Sequence, residues 1–482
     1  LCWAFLFLRI MNTQSAVVLA AGSGSRMRST TPKVLHQVCG REMLNLVLDA
    51  AKLDGVSRRL VVVPKSKERI LGALDSGVDW VEQIDQLGTG DALLQASKVL
   101  IEQEHLLVLP GDSPLITSDT LTNLLSHHIS KKSPVTLLTG HIQDPGDLGR
   151  LTRDTQGRIN GIVEHQDYFD GSSGEVEINS GIYCFRADWL WPRLKAVRPS
   201  GNGEIRLTDL VGIAYNEGVL VESVRPRQIE DILGVNDLVQ LAQANQIMRE
   251  RVRDLLMRSG VIIEDPASVY VDIGVLINQD TVLKHNSYVC GDTTIGKGCQ
   301  IGPNSTVKDS SIGDRSVVSD SVVSGSVLHD DVRVGPYSHI LPGCKLESDV
   351  RIGSHVEITR SSIGSGTKVT HFSYLGDSEV GENVNIGAGT VTCNFDGDKK
   401  YRTILDDGAF IGSGSLLIAP VTIGQGASTG AGAVVTHDVC PNTLVTGIPA
   451  RKVEKDKVFH KTDNEEIVID QALGHEAENL GN

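Results

Sequence analysis

The first half of the chain alternates short β-branched runs with helix-length amphipathic stretches. The runs include residues 16–21, 60–63, 106–109 and 135–138, and the periodic stretches 43–53 and 92–100 lie between them. This alternation, which continues to about residue 224, is typical of βαβ units in an open, mainly parallel α/β sheet. Because such sheets bind ligands beyond the carboxyl ends of their strands, we expect the chemistry in the loops that follow the strands.

Residues 238–257 place apolar side chains at steps of three and four, which predicts an amphipathic helix, and Gly260 supplies a stop. We interpret residues 238–260 as a helical linker.

Beyond this linker the period changes to six. Aliphatic side chains recur at Val334, Ile340, Leu346, Ile352 and Ile358, and glycine directly follows ten isoleucines or valines between residues 295 and 424. So long a six-residue repeat predicts a parallel β-helix over residues 261–453, in which each hexad forms one short face with its aliphatic side chain inward. One coil cannot bury its own faces, so stability must come from stacked neighbours.

The two ends of the chain carry neither pattern. The run 1–8 is apolar but too short to span a bilayer, and Met11 follows almost at once, so we expect residues 1–10 to be a non-native or unstructured extension. The first domain is then expected over residues 11–237, and residues 454–482 are expected to form an acidic, solvated tail.

Charge narrows the classes of partner. The 482 residues hold 45 Lys plus Arg against 60 Asp plus Glu, a formal net charge of −15. This is the wrong sign for nucleic acid or an anionic membrane, so we expect neither as a partner, and a phosphorylated ligand needs a local site. Eight scattered cysteines without a C-x-x-C pair indicate neither a zinc ribbon nor a disulfide scaffold, and we interpret them as reduced thiols of a cytoplasmic protein.

A glycine-rich loop follows the first strand. It runs from Leu19 to Met27, holds Gly22 and Gly24, and is followed by Lys33. Its glycines let backbone N–H groups approach a phosphate, and Arg26 and Lys33 add positive charge, so a triphosphate is the natural ligand. It is neither a dinucleotide fingerprint nor a P-loop, and alone it is equally consistent with an ordinary strand-to-helix turn.

Several short segments, taken in order, resemble the sugar-1-phosphate nucleotidyltransferases. They are Gln86–Gly90, Pro110–Leu115, Ile162–His165, Ile178–Gly181 and Gly234–Asn236. Joined to a hexapeptide domain, they resemble the bifunctional family that combines UDP-N-acetylglucosamine pyrophosphorylase with glucosamine-1-phosphate N-acetyltransferase, over roughly residues 14–450. This resemblance implies a Rossmann-like mixed-sheet domain followed by a left-handed parallel β-helix. It also implies a homotrimer, with the acetyl site between subunits, that acts on UTP, acetyl-CoA and the two sugar 1-phosphates.

The resemblance also implies roles in uridylyl transfer. Asp112 and Asn236 would hold Mg²⁺, and Arg26 and Lys33 would stabilise the transferring phosphates. The remaining nucleotide-sugar contacts would come from Leu19, Ala20, Ala21 and Gly22 in the loop, from Gln83, Gly88 and Thr89 at uracil, and from Gly149, Glu164 and Asn179 at the sugar. The alternatives are an ordinary turn or helix-cap carboxylate for Asp112, a surface carboxylate for Glu164 and a strand-end amide for Asn179.

For acetyl transfer the candidate base is His371. Amide acylation needs a group that removes a proton from the attacking amine, and histidine is a residue type suited to this role, although a lone histidine is more often structural. The resemblance implies that His371 is this base. By the same resemblance, the acetyl acceptor would contact Tyr374, Asn385, Lys400 and Arg360. Acetyl-CoA would contact Ala388, Asn394, Phe395, Ser413 and Ala431.

The chain departs from the family pattern at several positions. Leu341 and Thr359 stand where the family has an arginine and a lysine that clamp the acceptor phosphate, and Ile448 stands where a CoA-contacting arginine is frequent. Arg360 is the neighbouring substitute, and Ser23 removes one possible phosphate contact. Two alternatives therefore stay open: a nucleotidyltransferase whose β-helix only assembles and regulates, and an enzyme for another sugar or base, such as glucose 1-phosphate and dTTP.

Overall fold

A computed structural model describes residues 14–164, 174–200 and 203–453. The expected extension at 1–10 and the acidic tail at 454–482 lie outside these described residues. The chain divides between Thr293 and Thr294 into two compact units. The first repeat strands, which begin at Ile262, belong to the first unit.

The first unit is built on a nine-stranded mixed sheet, which confirms the predicted α/β class. Its strands are β1 Gln14–Leu19, β4 Val56–Pro64, β5 Asp79–Gln83, β6 His105–Pro110, β7 Val135–Ile142, β8 Arg150–Arg153, β9 Ile159–Val163, β10 Val176–Arg186 and β11 Glu222–Val224, and β2 Gln37–Val38 pairs separately with β3 Arg41–Glu42. The main order is β11-β7-β10-β6-β1-β4-β5. Strand β1 lies parallel to β4 and β6, whereas β10 runs antiparallel to β6 and β7.

Helices occupy most of the predicted amphipathic stretches. They are α1 Met43–Ala50, α2 Glu68–Leu71, α3 Thr89–Leu100, α4 Ser118–Lys131, α5 Ala187–Ala196, α6 Asp209–Asn216 and α7 Leu238–Arg258, with 3-10 turns at Ser25–Met27, Lys33–Leu35 and Ile229–Ile232.

The sheet is buried on both faces, which explains why its central strands are continuously apolar. Val17 packs into a core with Leu93 of α3 and Leu190 of α5. Its neighbour Val18 packs on the opposite face with Leu44 of α1. The two cores fix the central strands, and therefore the loops at their carboxyl ends.

Helix α7 covers the stretch 238–257 for which the apolar spacing predicts a helix. The Asp237 carboxylate accepts a hydrogen bond from the Gln240 N–H at 2.8 Å and caps its start, and Gly260, at φ 95°, follows its end. The helix lies against both parts of its unit. The Cys39 N–H donates to Asn245 Oδ1 at 3.0 Å, and the Arg249 guanidinium lies 4.3 Å from the ring centre of Tyr270.

Five repeat strands close the first unit. They are β12 Ile262–Ile263, β13 Tyr270–Val271, β14 Leu276–Ile277, β15 Val282–Leu283 and β16 Tyr288–Cys290. Strand β12 pairs in parallel with β15, and β13 with β16, so the six-residue repeat already forms coils here.

The second unit is a parallel β-helix with three faces, as the repeat predicts. The first face contains Gln300–Ile301, Val317–Val318, Arg333–Val334, Arg351–Ser354, Lys368–His371, Asn385–Ile386, Phe410–Ile411, Ser428–Thr429 and Leu444–Thr446. At its end, Arg451–Val453 pairs antiparallel with Leu444–Thr446. The second face contains Thr306–Lys308, Val322–Ser324, His339–Ile340, Glu357–Thr359, Tyr374–Gly376, Val391–Cys393, Leu416–Ile418 and Val434–Val435. The third face contains Thr294–Ile295, Ser311–Ile312, Val327–Leu328, Lys345–Leu346, Ser362–Ile363, Ser378–Val380, Thr403–Leu405 and Val421–Ile423.

Each coil stacks its aliphatic residues on those of the next. The series from Val334 to Ile358 predicted to point inward is at most 2% exposed at every step. Small hydroxyl residues satisfy the backbone at the corners: Thr367 Oγ1, for example, donates to the Gly381 carbonyl of the next coil at 2.8 Å. A polar loop over 394–401 interrupts the repeats, between the strands Val391–Cys393 and Thr403–Leu405.

Candidate active sites

A cavity of about 550 Å³ opens at the carboxyl ends of β1 and β6 in the first unit. Most residues predicted to bind the nucleotide or the metal line it: Leu19, Ala20, Ala21, Gly22, Arg26, Lys33, Gln83, Gly88, Thr89, Asp112, Glu164, Asn179 and Asn236. Gly149 lies one step behind, where its carbonyl accepts a hydrogen bond of 2.8 Å from the Asn179 N–H. The cavity is therefore where the open-sheet pattern predicts it.

Two cationic side chains meet the oxygens of a carboxylate and an amide on the floor of this cavity. Lys33 Nζ forms an ion pair with the Asp112 carboxylate and donates to Asn236 Oδ1 at 2.7 Å. Arg26 donates to the same Asn236 Oδ1 at 2.9 Å and pairs with Asp147, which the sequence did not indicate. The oxygens of Asp112 and Asn236 thus converge on one position that a cation already occupies.

Close backbone approach shapes the glycine-rich loop. Gly24 has φ 61°, and a Cβ at this position would lie 2.6 Å from the Cβ of Lys33. Only glycine therefore lets Lys33 come this close to the loop. The Gly111 N–H donates to the Leu19 carbonyl at 2.9 Å, which ties the loop to the Asp112 turn.

The wall next to α3 presents backbone and amide groups. Gln83 donates to the Gly88 carbonyl at 3.0 Å and to the Asp91 carboxylate at 2.7 Å. Gly88 has φ 105°, and an added Cβ would come within 2.7 Å of the Ile205 carbonyl oxygen. Gln86, for which the motifs imply no role of its own, donates to the Ala21 carbonyl at 2.6 Å and links this wall to the loop.

The opposite wall carries the residues predicted to bind the sugar. Glu164 accepts a hydrogen bond of 2.9 Å from Thr208 Oγ1, and the Asn179 side chain accepts one of 3.2 Å from the Gly181 N–H. Tyr183 also lines this wall, and burial raises the pKa of its hydroxyl. Thr208 and Tyr183 belong to no recognisable motif, so no pattern in the sequence indicates them.

A buried hydrogen-bond network connects the two loops that carry Asp112 and Asn236. Arg251 of α7 donates to the Leu115 carbonyl at 2.6 Å and to the Asp231 carboxylate at 2.8 Å. The Asp231 carboxylate also accepts a hydrogen bond from Thr120 Oγ1 at 2.5 Å, and the residue is 3% exposed. Leu115 lies three residues after Asp112 and Asp231 five residues before Asn236, so Arg251 joins both loops.

A second group of predicted residues gathers at one corner of the β-helix. His371 is exposed at the end of the strand Lys368–His371, and Tyr374 begins the next strand on the second face. Lys368 pairs in register with Asn385 of the following coil. The fold thereby brings the predicted base and two predicted acceptor contacts to adjacent positions.

Arg360, the predicted substitute cation, already has a partner. Its guanidinium donates to both carboxylate oxygens of Asp377, at 2.7 and 2.8 Å, and Asn394 donates to the same carboxylate at 2.6 Å. Arg360 holds the pKa of Asp377 below its ordinary value. Thr359 is buried and Leu341 is half-buried. Both side chains are uncharged, so neither supplies the positive charge of a phosphate-binding cation.

Three residues predicted to contact acetyl-CoA form a column. The Gly414 N–H donates to the Ala388 carbonyl at 2.7 Å, and the Gly432 N–H donates to the Ser413 carbonyl at 2.8 Å. Ala388, Ser413 and Ala431 therefore lie on consecutive coils. Phe395 lies in the polar loop, where it is 57% exposed. Its backbone forms an isolated antiparallel β-bridge with Lys400.

These features define a nucleotidyltransferase joined to a hexapeptide transferase. Residues 16–149 match the MobA-like NTP transferase domain, and residues 274–309 and 325–360 match the bacterial transferase hexapeptide family (six repeats). Residues 402–437 match the hexapeptide repeat of succinyl-transferase. Such repeats are typical of the left-handed parallel β-helix.

Relatives that match along more than nine-tenths of the chain narrow this class of protein to one family. The chain is 42% identical over 443 residues to Bifunctional protein GlmU of Geobacillus sp. (strain WCH70), covering 92% of this chain and 96% of that protein. It is 41% identical over 456 residues to Bifunctional protein GlmU of Halalkalibacterium halodurans, covering 94% and 100%. The chain therefore belongs to the GlmU family of bifunctional proteins, and it is an enzyme with a nucleotidyltransferase half and a hexapeptide acyltransferase half.

No described helix is long and apolar enough to cross a membrane.

Proposed function

We propose that the enzyme makes UDP-N-acetylglucosamine in two steps. The second unit transfers acetyl from acetyl-CoA to glucosamine 1-phosphate, and the first unit transfers uridylyl from UTP to the resulting N-acetylglucosamine 1-phosphate. The observation that carries the proposal is the convergence of Lys33, Asp112 and Asn236 in the cavity of the first unit. The His371 corner of the second unit supports the acetyl step.

In uridylyl transfer, a phosphate oxygen of the sugar 1-phosphate attacks the α-phosphorus of UTP, and the bond to the bridging oxygen of pyrophosphate breaks. Positioning and charge neutralisation supply most of the catalysis of such a transfer. Arg26 and Lys33 leave their carboxylate and amide partners and neutralise the triphosphate. The uracil lies against Gln83, Gly88 and Thr89, and the sugar against Gly149, Glu164 and Asn179.

The donor set of the floor suits Mg²⁺. This ion prefers hard oxygen ligands and usually takes one or two from protein carboxylates and the rest from water and substrate phosphates. Asp112 and Asn236 offer one carboxylate and one amide oxygen within reach of a single position. No group of three His, Cys, Asp or Glu side chains suited to a metal occurs among the described residues, so the remaining ligands would come from UTP and water. The ion would neutralise charge on the α-phosphate and the leaving pyrophosphate.

In acetyl transfer, His371 removes a proton from the amine as the nitrogen attacks the thioester carbonyl, and the proton passes to the departing CoA sulfur. Tyr374, Asn385, Lys400 and Arg360 border the acceptor. The column Ala388, Ser413 and Ala431, with Asn394 and Phe395, holds acetyl-CoA. Exposed faces of a β-helix commonly self-associate, so we propose a cytoplasmic homotrimer whose acetyl site is completed between subunits.

The deciding experiment measures two products from purified protein with Mg²⁺. Pyrophosphate is followed with UTP and N-acetylglucosamine 1-phosphate, and free thiol with acetyl-CoA and glucosamine 1-phosphate. We expect both products. Pyrophosphate without thiol would establish the alternative of a nucleotidyltransferase with a structural β-helix, which the uncharged Leu341 and Thr359 favour. A preference for dTTP and glucose 1-phosphate would change the substrates of the first unit.

A further inference from the structure

A column of cationic side chains lies on the first face of the β-helix. Arg333 pairs in register with Arg351, and Arg351 pairs with Lys368. Each is the exposed residue before a buried aliphatic. Neighbouring strands are about 4.8 Å apart, so the three side chains lie one above another.

Two side chains of this column have no neutralising partner among the residues that the structure describes. Neither Arg351 nor Lys368 has an ion-pair or hydrogen-bond partner there. Arg333 differs, because it lies near Asp331 and contributes to lowering the pKa of that carboxyl, behind Arg315. Like charges directly opposite each other destabilise a sheet, so Arg351 and Lys368 form a position that a bound anion would relieve.

The two cations adjoin the proposed acetyl-transfer residues. Lys368 is the first and His371 the last residue of one strand, a separation of about 10 Å between Cα atoms at about 3.3 Å per residue. Asn385 lies on the rung next to Lys368. A lysine side chain spans much of that separation, so cation, amide and base border one patch.

We propose that Arg351 and Lys368 form the phosphate-binding subsite for the acetyl acceptor, with Asn385 at its edge. This rests on the proposed function. Of the two other cations proposed at the acceptor, Arg360 is already neutralised by Asp377, and Lys400 also acts electrostatically on that carboxylate. In glucosamine 1-phosphate the amine and the phosphate are on neighbouring carbons, so an amine beside His371 brings its phosphate to within one side-chain length. The phosphates of CoA are separated from the thioester by the pantetheine arm, which assigns this subsite to the acceptor.

The test combines Arg351→Ala and Lys368→Ala and measures thiol release. Each cation supplies a charge-assisted contact, so the KM for glucosamine 1-phosphate should rise about tenfold or more in the double variant. The KM for acetyl-CoA and the kcat should change less than about twofold. Lys368→Arg should restore most of the affinity. The matched control is Lys345→Ala, an exposed lysine that begins a strand on the third face and pairs with Glu347 at 2.6 Å.

A second acceptor without a phosphate tests whether the two cations recognise the phosphate of the substrate. With glucosamine, which lacks it, the wild type and the double variant should acetylate at equal kcat/KM. An unchanged KM for glucosamine 1-phosphate, or a raised KM for acetyl-CoA instead, would overturn the assignment. Unchanged pyrophosphate release and circular dichroism show that the variant is folded.

A third measurement separates this proposal from the proposed function. If the wild type releases no thiol, acetyl transfer is wrong, and calorimetric titration with glucosamine 1-phosphate then decides the subsite. Weaker binding by the double variant supports it. Equal binding by the two proteins, or no binding by the wild type, contradicts it.

Discussion

Lys33 and Asp112 form an ion pair on the floor of the cavity in the first unit, with the Lys33 side chain 13% and the Asp112 side chain 24% exposed. Each group is therefore neutralised by the other in the free protein. In the proposed uridylyl transfer, the triphosphate would pair with Lys33 and its metal ion with Asp112. Substrate binding would then exchange one set of charge pairs for another, so that neither charge is left buried alone.

We expect Asp112→Asn to lower uridylyl transfer about 100-fold or more, because the amide cannot balance the charge of a divalent cation. The measurement is pyrophosphate release across a Mg²⁺ titration, in which the variant should need more Mg²⁺. Thiol release by the second unit should stay unchanged. Asp119→Asn, at an exposed carboxylate in the first turn of α4, is the control. Equal pyrophosphate release by Asp112→Asn and the wild type would refute the metal assignment.

Arg251 is expected to act through position, since it touches both loops of the metal-ligand pair but lies outside the cavity lining. Arg251→Met leaves the Asp231 carboxylate buried without its cation, which should lower the free energy of unfolding by about 3 kcal/mol. Displaced loops should also lower the kcat for uridylyl transfer.

A double variant checks the origin of that loss. Adding Asp231→Asn removes the uncompensated charge, so the pair should be less destabilised than the sum of the single variants in urea denaturation. Strict additivity would show that the two side chains do not act together. Arg251→Lys should recover part of the kcat.

His371→Ala should lower acetyl transfer by about 10²- to 10⁴-fold, the usual contribution of a positioned base. Uridylyl transfer by the same preparation should match the wild type. The control is His355→Ala, which removes another exposed histidine from the coil before, where its ring lies 5.3 Å from that of Tyr337. Full thiol release by His371→Ala would mean that the base is elsewhere.

Two buried histidines, His105 and His128, should make the free energy of unfolding depend on pH. His128 Nε2 lies 3.2 Å from His105 Nδ1, and His128 Nδ1 lies 2.9 Å from Thr136 Oγ1. Burial, with the neighbouring His105, lowers the pKa of His128 from 6.5 to about 3, and burial also lowers the pKa of His105. The unfolded chain therefore binds protons below pH 6.5 that the folded chain does not. Their contribution to stability is complete above that pH and is lost as the pH falls.

The free energy of unfolding should decrease by up to about 1.4 kcal/mol per pH unit between pH 6.5 and 4 from His128, and the lowered pKa of His105 adds to this decrease. Urea denaturation at several pH values measures this slope. Because carboxylates also titrate in this range, the informative quantity is the difference from His128→Gln, which should show a shallower slope. Identical slopes would contradict the assignment to this pair.

The repeat and the order of the elements could be predicted from the chain alone. When an aliphatic residue recurs every six positions, a β-helix buries all of these side chains. The spacing from Val334 to Ile358 therefore predicts the β-helix without information on any tertiary contact. The runs at 16–21 and 106–109 likewise located the sheet, and the loops after them located the cavity. These are local properties, because period and turn chemistry depend on neighbours in sequence.

The partners of each functional side chain depended on tertiary structure. Arg360 and Asp377 are 17 residues apart, and only the stacking of coils shows that this predicted substrate contact is already paired. Arg351 and Lys368 become one charged position for the same reason, and Arg251 reaches Leu115 across 136 residues. Sequence specifies which side chains are available, but which charges neutralise each other depends on distances that the packed fold alone sets.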